Sequence, residues 1–363
     1  MRGEFMVIKH RHLFPGNNTS MGFFSYYAHV LPQREANHIF CLKGGPGVGK
    51  STFMQRIADR MADEGYSIEY LHCSSDPESL DGIVIPALRV ALIDGTAPHI
   101  IDPINPGAVD EIVNLGEHWD LAGIKQHKSQ IIAVGEQVGQ LFRRAYRYLA
   151  AAKCLMDDAL ALYMTESIPA GVYAEADRIV KAHIPGFISG TKPGKVRKMF
   201  ASAFTPLGVV SHVDTLIRGD YTVYTVESRW GAGVTQLLAH ISEKAMAYGL
   251  DVEQYYCPMD PEKRIDHLII PAIGLAIVSS NRYINVSVTA QTVIDLAQYA
   301  DQAPAAEFDE REFDVMLREA LFTLNRAKVT HDEIEKYYIP YMDFQAVDRK
   351  REQIIKAILA LIP

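Results

Sequence analysis

The alternation of apolar and polar residues predicts an α/β chain in which short buried strands precede amphipathic helices. The run HIFCL, residues 38–42, is apolar and has the length of a strand. The helix predicted over residues 51–64 carries apolar side chains at helical spacing: Phe53, Met54, Ile57 and Met61. Between strand and helix lies GGPGVGKST, residues 44–52. This order of strand, glycine-rich loop and helix is the context that a phosphate-binding loop requires.

The glycine-rich stretch satisfies the pattern G-x-x-x-x-G-K-[ST] of the P-loop. Its glycines allow successive backbone N–H groups to turn toward one anion, Lys50 would contact the β and γ phosphates, and the Ser51 hydroxyl would ligate Mg²⁺. The alternative, a glycine-rich turn without a ligand, is disfavoured by the flanking strand and helix. The residues predicted to bind the nucleotide are Gly44, Gly45, Pro46, Gly47, Val48, Gly49, Lys50, Ser51 and Thr52.

A second apolar run, RVALID, ends at Asp94 and provides a candidate partner for the glycine-rich loop. Asp94 is similar to the Walker B carboxylate, which holds the water shell of Mg²⁺ from the end of a neighbouring parallel strand. An apolar strand that ends in Asp-Gly can equally be a plain turn. The position after a P-loop favours the metal role, so Ser51 and Asp94 are the predicted Mg²⁺ ligands.

Three acidic residues, Asp76, Glu78 and Asp81, follow a strand that is predicted between the helix and the Asp94 strand. They are candidates for orienting an attacking water. They are needed because Gly95 stands where many P-loop ATPases carry a glutamate. A capped turn at the start of a helix is the alternative for Asp76, since Asp-Pro-Glu is a good helix-start signal. The predicted catalytic residues are Lys50, Asp94, Asp76 and Asp81.

Further contacts are predicted outside these motifs. Thr96 and His99 follow the Asp94 strand and are candidates for a phosphate sensor and a substrate contact, although a lone histidine is more often structural. The run RRAYR lies in a long predicted helix and supplies Arg143, Arg144 and Arg147 as possible arginine fingers. A solvated helix face is the alternative for these arginines.

The second half of the sequence restates the first at an offset of about 185 residues. EGYSIEYLHCSSDPESLDGIVIPAL is echoed by YGLDVEQYYCPMDPEKRIDHLIIPAI with one inserted residue, and AAAKCLMDD is echoed by NRAKVTHDE. The pairing sets Asp76 opposite Asp260 and Lys153 opposite Lys328. This pattern indicates a tandem duplication of one α/β unit, in which each copy ends in a helical-hairpin extension.

The two copies differ where a nucleotide would bind. Opposite KGGPGVGKST stands ESRWGAGVTQ, in which Val234 replaces Lys50, and Ser279 stands opposite Asp94. Valine cannot neutralise phosphate charge, so the second copy is predicted to be degenerate and mainly structural or regulatory. The predicted domains are an intact P-loop domain over residues 1–192, with a helical arm at about 117–183, and a degenerate domain over 193–363, with an arm at about 305–363.

The composition of the chain limits the classes of partner that it can bind. The chain has 363 residues, is 48% hydrophobic and carries a net charge of −8, which argues against a broad nucleic-acid surface. Its four cysteines form no C-x-x-C pair, and no apolar run approaches the length of a membrane span. The first residues lack the apolar core of a signal peptide, so we expect a cytoplasmic protein without a membrane partner.

The segments KGGPGVGKST, HCSSDPESLDG, DGTAPHIIDPINPGAVDEI and AYRYLAAAK together resemble an uncharacterised family of tandem P-loop NTPases, mostly from Firmicute bacteria, whose members are usually labelled ATPase or nucleotide kinase. The resemblance covers essentially the whole chain. It implies the three-layer P-loop NTPase sandwich with a mainly parallel sheet, and ATP bound at residues 44–52. Family members tend to keep a recognisable second loop, and this chain departs from that pattern at Arg229 and Val234.

Three functions remain open at this point. The first is Mg²⁺-dependent ATP hydrolysis in the first copy, with the second copy as a pseudo-subunit. The second is a nucleotide or small-molecule kinase, in which His72, Asp76 and His99 would line an acceptor pocket. The third is a non-hydrolysing nucleotide sensor that presents its second half to a protein partner, with the helical arms as a possible contact surface. The absence of an N-K-x-D motif favours ATP over GTP.

Overall fold

The computed structural model describes residues 10–96, 101–164, 169–184, 192–217, 219–301 and 304–362. The elements of the first half are β1 (Arg11–Leu13), β2 (Gly16–Thr19), β3 (Gly22–Ser25), β4 (His38–Lys43), α1 (Lys50–Asp63), β5 (Glu69–Cys73), β6 (Asp76–Ile85), β7 (Val90–Asp94), β8 (Asp110–Asn114), α2 (Leu121–Lys125), α3 (Lys128–Tyr163) and α4 (Ala170–His183). Those of the second half are β9 (Val196–Met199), β10 (Ser202–Thr205), β11 (Gly208–Ser211), α5 (Val213–Leu216), β12 (Thr222–Glu227), α6 (Val234–Ala247), β13 (Val252–Cys257), β14 (Asp260–Ile270), β15 (Leu275–Ser279), β16 (Thr292–Asp295), α7 (Ala306–Glu335) and α8 (Phe344–Leu359).

Two sheets of six strands share one strand order. The first sheet has the order β1-β5-β6-β7-β4-β8, and the second has β9-β13-β14-β15-β12-β16. In each sheet one strand, β6 or β14, runs antiparallel to both neighbours, and the other neighbouring pairs are parallel. The structure is therefore an α/β protein of two similar halves with mostly parallel sheets, as the sequence pattern predicts.

The antiparallel strand corrects one interpretation of the sequence. Asp76 does not begin a helix, because residues 76–85 form β6 and pair with β5 through a register shift near His72. The segment 80–85 of β6 is almost wholly apolar and buried, which favours a strand in the interior of a sheet. The Asp-Pro-Glu sequence therefore follows a tight connection between two strands.

Helix α1 packs its predicted apolar face into the core of the first half. Its buried side chains are Phe53, Met54, Ile57, Ala58 and Met61. Full burial of a large apolar side chain stabilises a fold by about 1.5–3 kcal/mol. The last residue before the helix is Gly49, whose φ of 83° lies in the left-handed region that favours glycine. The glycine thus fixes the point at which the loop ends and the helix begins.

The chain forms two compact units whose limits differ from those of the sequence halves. The first unit extends up to Gly16, then covers Tyr26–Arg143 and the residues from Thr323 onward; the second covers Asn17–Ser25 and Arg144–Phe322. The boundary predicted at 192/193, with each arm kept in its own half, does not coincide with these units. The reason is packing, because α8 lies against α1 in the first unit and α4 lies against α6 in the second.

Helix α8 shows why the C-terminal segment belongs to the first unit. It is amphipathic and buries Val347, Ile354, Ile355 and Ile358 in the same core as the apolar face of α1. Its N-terminus is capped by Asp343, whose side chain accepts a hydrogen bond from the Ala346 N–H. This helix is therefore an integral part of the core beneath the glycine-rich loop.

The four cysteines are all free, and three of them are buried: Cys41, Cys73 and Cys257. Burial, followed by the charge of Asp110, raises the pKa of Cys41 to about 11. Burial, followed by the charge of Asp266, raises the pKa of Cys257 to about 12. Such thiols stay protonated at neutral pH and act as small apolar side chains. Among the described residues, no helix has both the length and the apolar character needed to cross a membrane.

A buried histidine in β14 makes the second unit sensitive to acid. His267 is 2% exposed, and its Nδ1 accepts a hydrogen bond from the Ser279 N–H at 3.2 Å. Burial lowers the pKa of His267 from 6.5 to about 4, so the unfolded chain binds this proton first. Its contribution to stability is therefore complete above about pH 6.5 and is lost as the pH falls toward about 4.

The titration of His267 predicts that the free energy of unfolding depends more strongly on pH in the wild type than in His267→Gln. We expect the wild type to lose about 2 kcal/mol more of its free energy of unfolding between pH 7 and pH 5 than the variant loses. Urea denaturation at the two pH values measures both losses, and the other histidines cancel in the comparison. Equal losses in the two proteins would show that His267 does not titrate differently in the folded chain.

Candidate functional site

The glycine-rich loop connects β4 to α1 and contains glycines in the left-handed backbone conformation. Gly47 and Gly49 have φ values of 71° and 83°, in the left-handed region. Residues in this region that alternate with ordinary ones allow successive N–H groups to converge on one centre. A side chain at either position would be strained, which explains why glycine is found there.

Lys50 lies inside this loop and beside the carboxylate of Asp94. Its Nζ donates hydrogen bonds to the carbonyl oxygens of Gly44 at 2.6 Å and Gly45 at 3.0 Å. The same Nζ lies 3.5 Å from Asp94 Oδ2, and the two side chains are 12% and 13% exposed. The contact follows from topology, because β4 and β7 are adjacent parallel strands whose register pairs Leu42 with Asp94. The structure thus brings together two residues that the sequence motifs singled out separately.

Thr96 fixes the carboxylate of Asp94 and contacts the loop. Its N–H donates to Asp94 Oδ1 at 2.8 Å, and its hydroxyl donates to the Gly44 carbonyl oxygen at 2.8 Å. Thr96, the candidate phosphate sensor, therefore links the end of β7 to the glycine-rich loop. His99, the other candidate in this segment, lies outside the described residues.

The Ser51 hydroxyl connects α1 to β6. Its Oγ accepts a hydrogen bond from the Leu80 N–H at 3.0 Å, which sets the first turn of α1 against the start of β6. Asp76, at the beginning of that strand, accepts from the Ser79 hydroxyl at 2.8 Å. Asp81 is 3% exposed and accepts from the Tyr27 hydroxyl at 2.9 Å. Burial, then the charge of Asp81, raises the pKa of Tyr27 well above 10.

These residues line one cavity of about 610 Å³ in the first unit. The cavity wall contains loop residues 45–52 and the acidic side chains of Asp76, Asp81 and Asp94. All four residues predicted to be catalytic therefore face one space, together with every predicted nucleotide-binding residue except Gly44. Gly44 contributes its carbonyl oxygen to Lys50 instead.

Helix α7 supplies three wall residues that the motifs did not indicate: Lys328, His331 and Glu335. Lys328 Nζ donates to Asp332 Oδ1 at 2.7 Å and lies 3.5 Å from Asp76 Oδ2. Burial is the main cause of a lowered pKa of His331, so its imidazole is neutral at neutral pH. The repeat NRAKVTHDE pairs Lys328 with Lys153 in the sequence, but only the packing of α7 shows that Lys328 lies beside Asp76.

The segment after α7 covers the glycine-rich loop. A Cβ atom at Gly47 would lie 2.9 Å from Ile339 Cγ1 and 3.6 Å from the Tyr338 Cβ. A Cβ atom at Gly45 would lie 3.2 Å from the indole ring of Trp119. Close packing thus disfavours a side chain at both glycines, and at Gly47 the left-handed φ of 71° disfavours it as well. The tyrosine-rich segment near residue 338 therefore packs on the loop.

The arginines of α3 do not line this cavity. Arg143, Arg144 and Arg147 are exposed, and Arg144 donates to the Tyr148 hydroxyl at 3.0 Å. Within the chain the structure therefore favours a solvated helix face over an arginine finger in cis. Among the described residues, Lys328 of α7 is the cation that a helical arm contributes to the cavity.

The corresponding loop of the second half is filled by a side chain of the chain itself. Gly231 and Gly233 keep left-handed φ values of 74° and 79°, but Val234 is fully buried. Arg264, from β14 and 7% exposed, donates from Nη2 to the Trp230 carbonyl oxygen at 2.7 Å. A Cβ atom at Gly231 would clash with this guanidinium. In the second unit, the space beside the loop that corresponds to the cavity of the first unit is thus occupied by the Arg264 guanidinium.

Trp230 also packs inward in this second loop. Its indole N–H donates to Glu310 Oε1 at 2.8 Å, and its ring meets Phe313 edge to face at 4.7 Å. At the equivalent place in the first half stands Pro46, which lines the cavity. The two loops therefore differ in both charge and accessible space.

The fold and the site together define an α/β protein of two similar halves, with a glycine-rich loop, a lysine and a carboxylate converging in one of them. Comparisons with protein-family models, with curated proteins and with solved structures find no match for this chain. Its function is therefore argued from the geometry of the cavity.

Proposed function

We propose that this chain is an ATP-binding P-loop NTPase that hydrolyses ATP in its first unit, with the second unit as a pseudo-subunit. The observation that carries the proposal is the contact of Lys50 with Asp94 at 3.5 Å, inside a glycine-rich loop that opens on a cavity of about 610 Å³. A loop that begins a helix and holds a cation favours a phosphate chain. The resemblance to tandem P-loop NTPases supports the same assignment.

The residues of the cavity have distinct roles in this proposal. Phosphate oxygens would replace the carbonyl oxygens of Gly44 and Gly45 as partners of Lys50. Ser51 and Asp94 would hold Mg²⁺, which supplies charge neutralisation at the β and γ phosphates when it is bound. Among the described residues no group of three or more His, Cys, Asp or Glu could hold a metal ion alone. This fits Mg²⁺, which is usually bound by few protein ligands together with phosphates.

The water-orienting group in this proposal is Asp76. A glutamate cannot stand at position 95, since a Cβ atom there would lie 2.8 Å from the Ile101 carbonyl oxygen and 3.1 Å from Lys43 Nζ. Asp81 is buried and bound to Tyr27, whereas the side chain of Asp76 is 30% exposed and accessible to water. Asp81 would then be a positioning residue that ties the middle of β6 to Tyr27.

A kinase is the second candidate, favoured by His331. This neutral imidazole lines the same cavity and could accept a proton from a hydroxyl acceptor. A third possibility, a nucleotide sensor with little turnover, is favoured by the exclusion of a glutamate at position 95. Both alternatives keep ATP at the same loop and differ only in the fate of the bound nucleotide.

Calorimetric titration with ATP and Mg²⁺, followed by phosphate release in the same samples, tests the proposal. One nucleotide bound per chain with phosphate release supports an NTPase. One nucleotide bound without release until a hydroxyl acceptor is added supports a kinase, and no release under any condition supports a sensor. A chain that binds no nucleotide would overturn all three, and two bound nucleotides would overturn the assignment of a filled second loop.

A matched pair of hydroxyl residues separates the metal role of Ser51 from its structural role. Thr235 Oγ1 accepts a hydrogen bond from the Ile265 N–H at 3.2 Å, as Ser51 Oγ does from Leu80. We expect Ser51→Ala and Thr235→Ala each to lower the free energy of unfolding by about 1 kcal/mol, since each leaves one N–H unpaired. Only Ser51→Ala should reduce the gain in ATP affinity that Mg²⁺ provides, by about 10-fold. An equal gain from Mg²⁺ in both variants would exclude Ser51 as a metal ligand.

A further inference from the structure

The side chain of Lys328 joins α7 to the start of β6. Its Nζ donates to Asp332 Oδ1, one helical turn later, at 2.7 Å and lies 3.5 Å from Asp76 Oδ2. The side chain is 27% exposed, so it is neither sealed in the core nor fully solvated. Lys328 thus has two carboxylates as partners and keeps access to the cavity that it lines.

The position of Asp76 places Lys328 on the Ser51 side of the cavity. Asp76 accepts from Ser79, and the next residue, Leu80, donates its N–H to Ser51 Oγ. These contacts run continuously from the first turn of α1 to Lys328. In the proposed function Ser51 binds the Mg²⁺ ion that contacts the β and γ phosphates. Lys328 would therefore lie near the γ phosphate of a bound triphosphate.

Charge in the cavity leaves the terminal phosphate in need of a second cation. Among the described residues that line it, five are acidic: Asp76, Glu78, Asp81, Asp94 and Glu335. Only Lys50 and Lys328 carry a positive charge there, because burial lowers the pKa of the neighbouring His331. Lys50 and Mg²⁺ would be shared between the β and γ phosphates, so among five carboxylates a further cation beside the γ phosphate lowers its electrostatic energy.

We propose that Lys328 binds the γ phosphate of ATP and is the residue by which the site distinguishes ATP from ADP. The inference rests on the proposed nucleotide site. On ATP binding, the ammonium group would exchange its contact with Asp76 for a phosphate oxygen while it keeps Asp332. The carboxylate of Asp76 is thereby released toward water, so that γ-phosphate binding and water orientation are coupled through one ion pair. Helix α7 becomes the element that senses the third phosphate.

The second unit provides a matched control for this role. Lys153 of α3 donates to Asp157, also four residues later, at 2.6 Å, and lies 3.3 Å from Asp260 Oδ2. Asp260 begins β14 as Asp76 begins β6. The ion-pair pattern is therefore the same, but the neighbouring loop carries Val234 and is filled by Arg264. Lys153→Ala removes equivalent contacts without a phosphate site beside them.

Affinities for ATP and for ADP, each with Mg²⁺, test the proposal in the full chain of the wild type, Lys328→Ala, Lys328→Arg and Lys153→Ala. We expect Lys328→Ala to weaken ATP binding about 10-fold, the effect of one charge-assisted hydrogen bond, and to leave ADP binding unchanged. Lys328→Arg should retain most of the preference for ATP, and Lys153→Ala should alter neither affinity. The ADP affinity of each variant also shows that its site is folded.

The outcomes separate this inference from the proposed function. If the wild type binds ATP and Lys328→Ala keeps the same ratio of ATP to ADP affinity, Lys328 is a structural residue like Lys153 and the inference is overturned, while the nucleotide site stands. The same conclusion holds if Lys328→Ala weakens both nucleotides equally. If the wild type binds neither nucleotide, the proposed function itself fails, and the assignment of Lys328 fails with it.

Discussion

Replacement of Lys50 by alanine is expected to weaken ATP binding about 100-fold and to abolish phosphate release. Lys50 is 12% exposed, and its ammonium group makes charge-assisted contacts within the loop. Such a group would bind two phosphates at once, and the loss of two charge-assisted hydrogen bonds of about 1.5 kcal/mol each gives about 3 kcal/mol, or about 100-fold in affinity. Calorimetry with ATP and Mg²⁺ measures the change, and phosphate release is measured in the same samples.

Val234→Ala is the matched control, because Val234 stands at the lysine position of the second loop. Val234 is fully buried, so its truncation should lower the free energy of unfolding by about 1–2 kcal/mol and leave ATP affinity unchanged. An unchanged ATP affinity in Lys50→Ala would contradict the NTPase, kinase and sensor proposals together. A loss of ATP affinity in Val234→Ala would show that the second loop takes part in binding.

The proximity of Lys50 and Asp94 could be predicted from the sequence because this part of the geometry results from local rules. A parallel strand that ends in a glycine-rich loop and a neighbouring parallel strand that ends in Asp94 bring their carboxyl ends to one edge of a sheet. The contact between Lys50 and Asp94 is the consequence. The helical spacing of the apolar residues also predicted the buried face of α1 correctly, since that face is set by the 3.6-residue period.

The rest of the site depends on packing between segments that are distant in the sequence. Lys328 reaches Asp76 only because the end of α7 belongs to the first unit, and no local pattern states which core α8 covers. The Asp-Pro-Glu sequence at the start of β6 equally fits a capped turn before a helix, because it is a frequent helix start. Burial of residues 80–85 between β5 and β7 outweighs that local preference.

The occupation of the second loop by Arg264 also depends on packing between distant segments. Its removal is the second change from which we expect a large effect, here on the free energy of unfolding. Arg264 is 7% exposed, with Nη2 on the Trp230 carbonyl oxygen and Nε 3.3 Å from Asp266 Oδ1. The other carboxylate oxygen of Asp266 is buried without a hydrogen-bond partner among the described residues. Arg264→Met would leave this carboxylate in the core without its cation. We expect the free energy of unfolding to fall by about 3–5 kcal/mol, the usual cost of an uncompensated buried charge.

Urea denaturation measures the loss, and two further variants assign it. Arg264→Met combined with Asp266→Asn should recover much of the stability, because the buried negative charge is then removed as well. Ser79→Ala, at the equivalent position of β6, should cost about 1 kcal/mol, since Ser79 provides only one hydrogen bond to a partly exposed carboxylate. A loss below about 1 kcal/mol in Arg264→Met would mean that water replaces the guanidinium. The second loop would then be filled only by a side chain that can be removed, and the absence of a cation at position 234 would be the remaining barrier to phosphate binding.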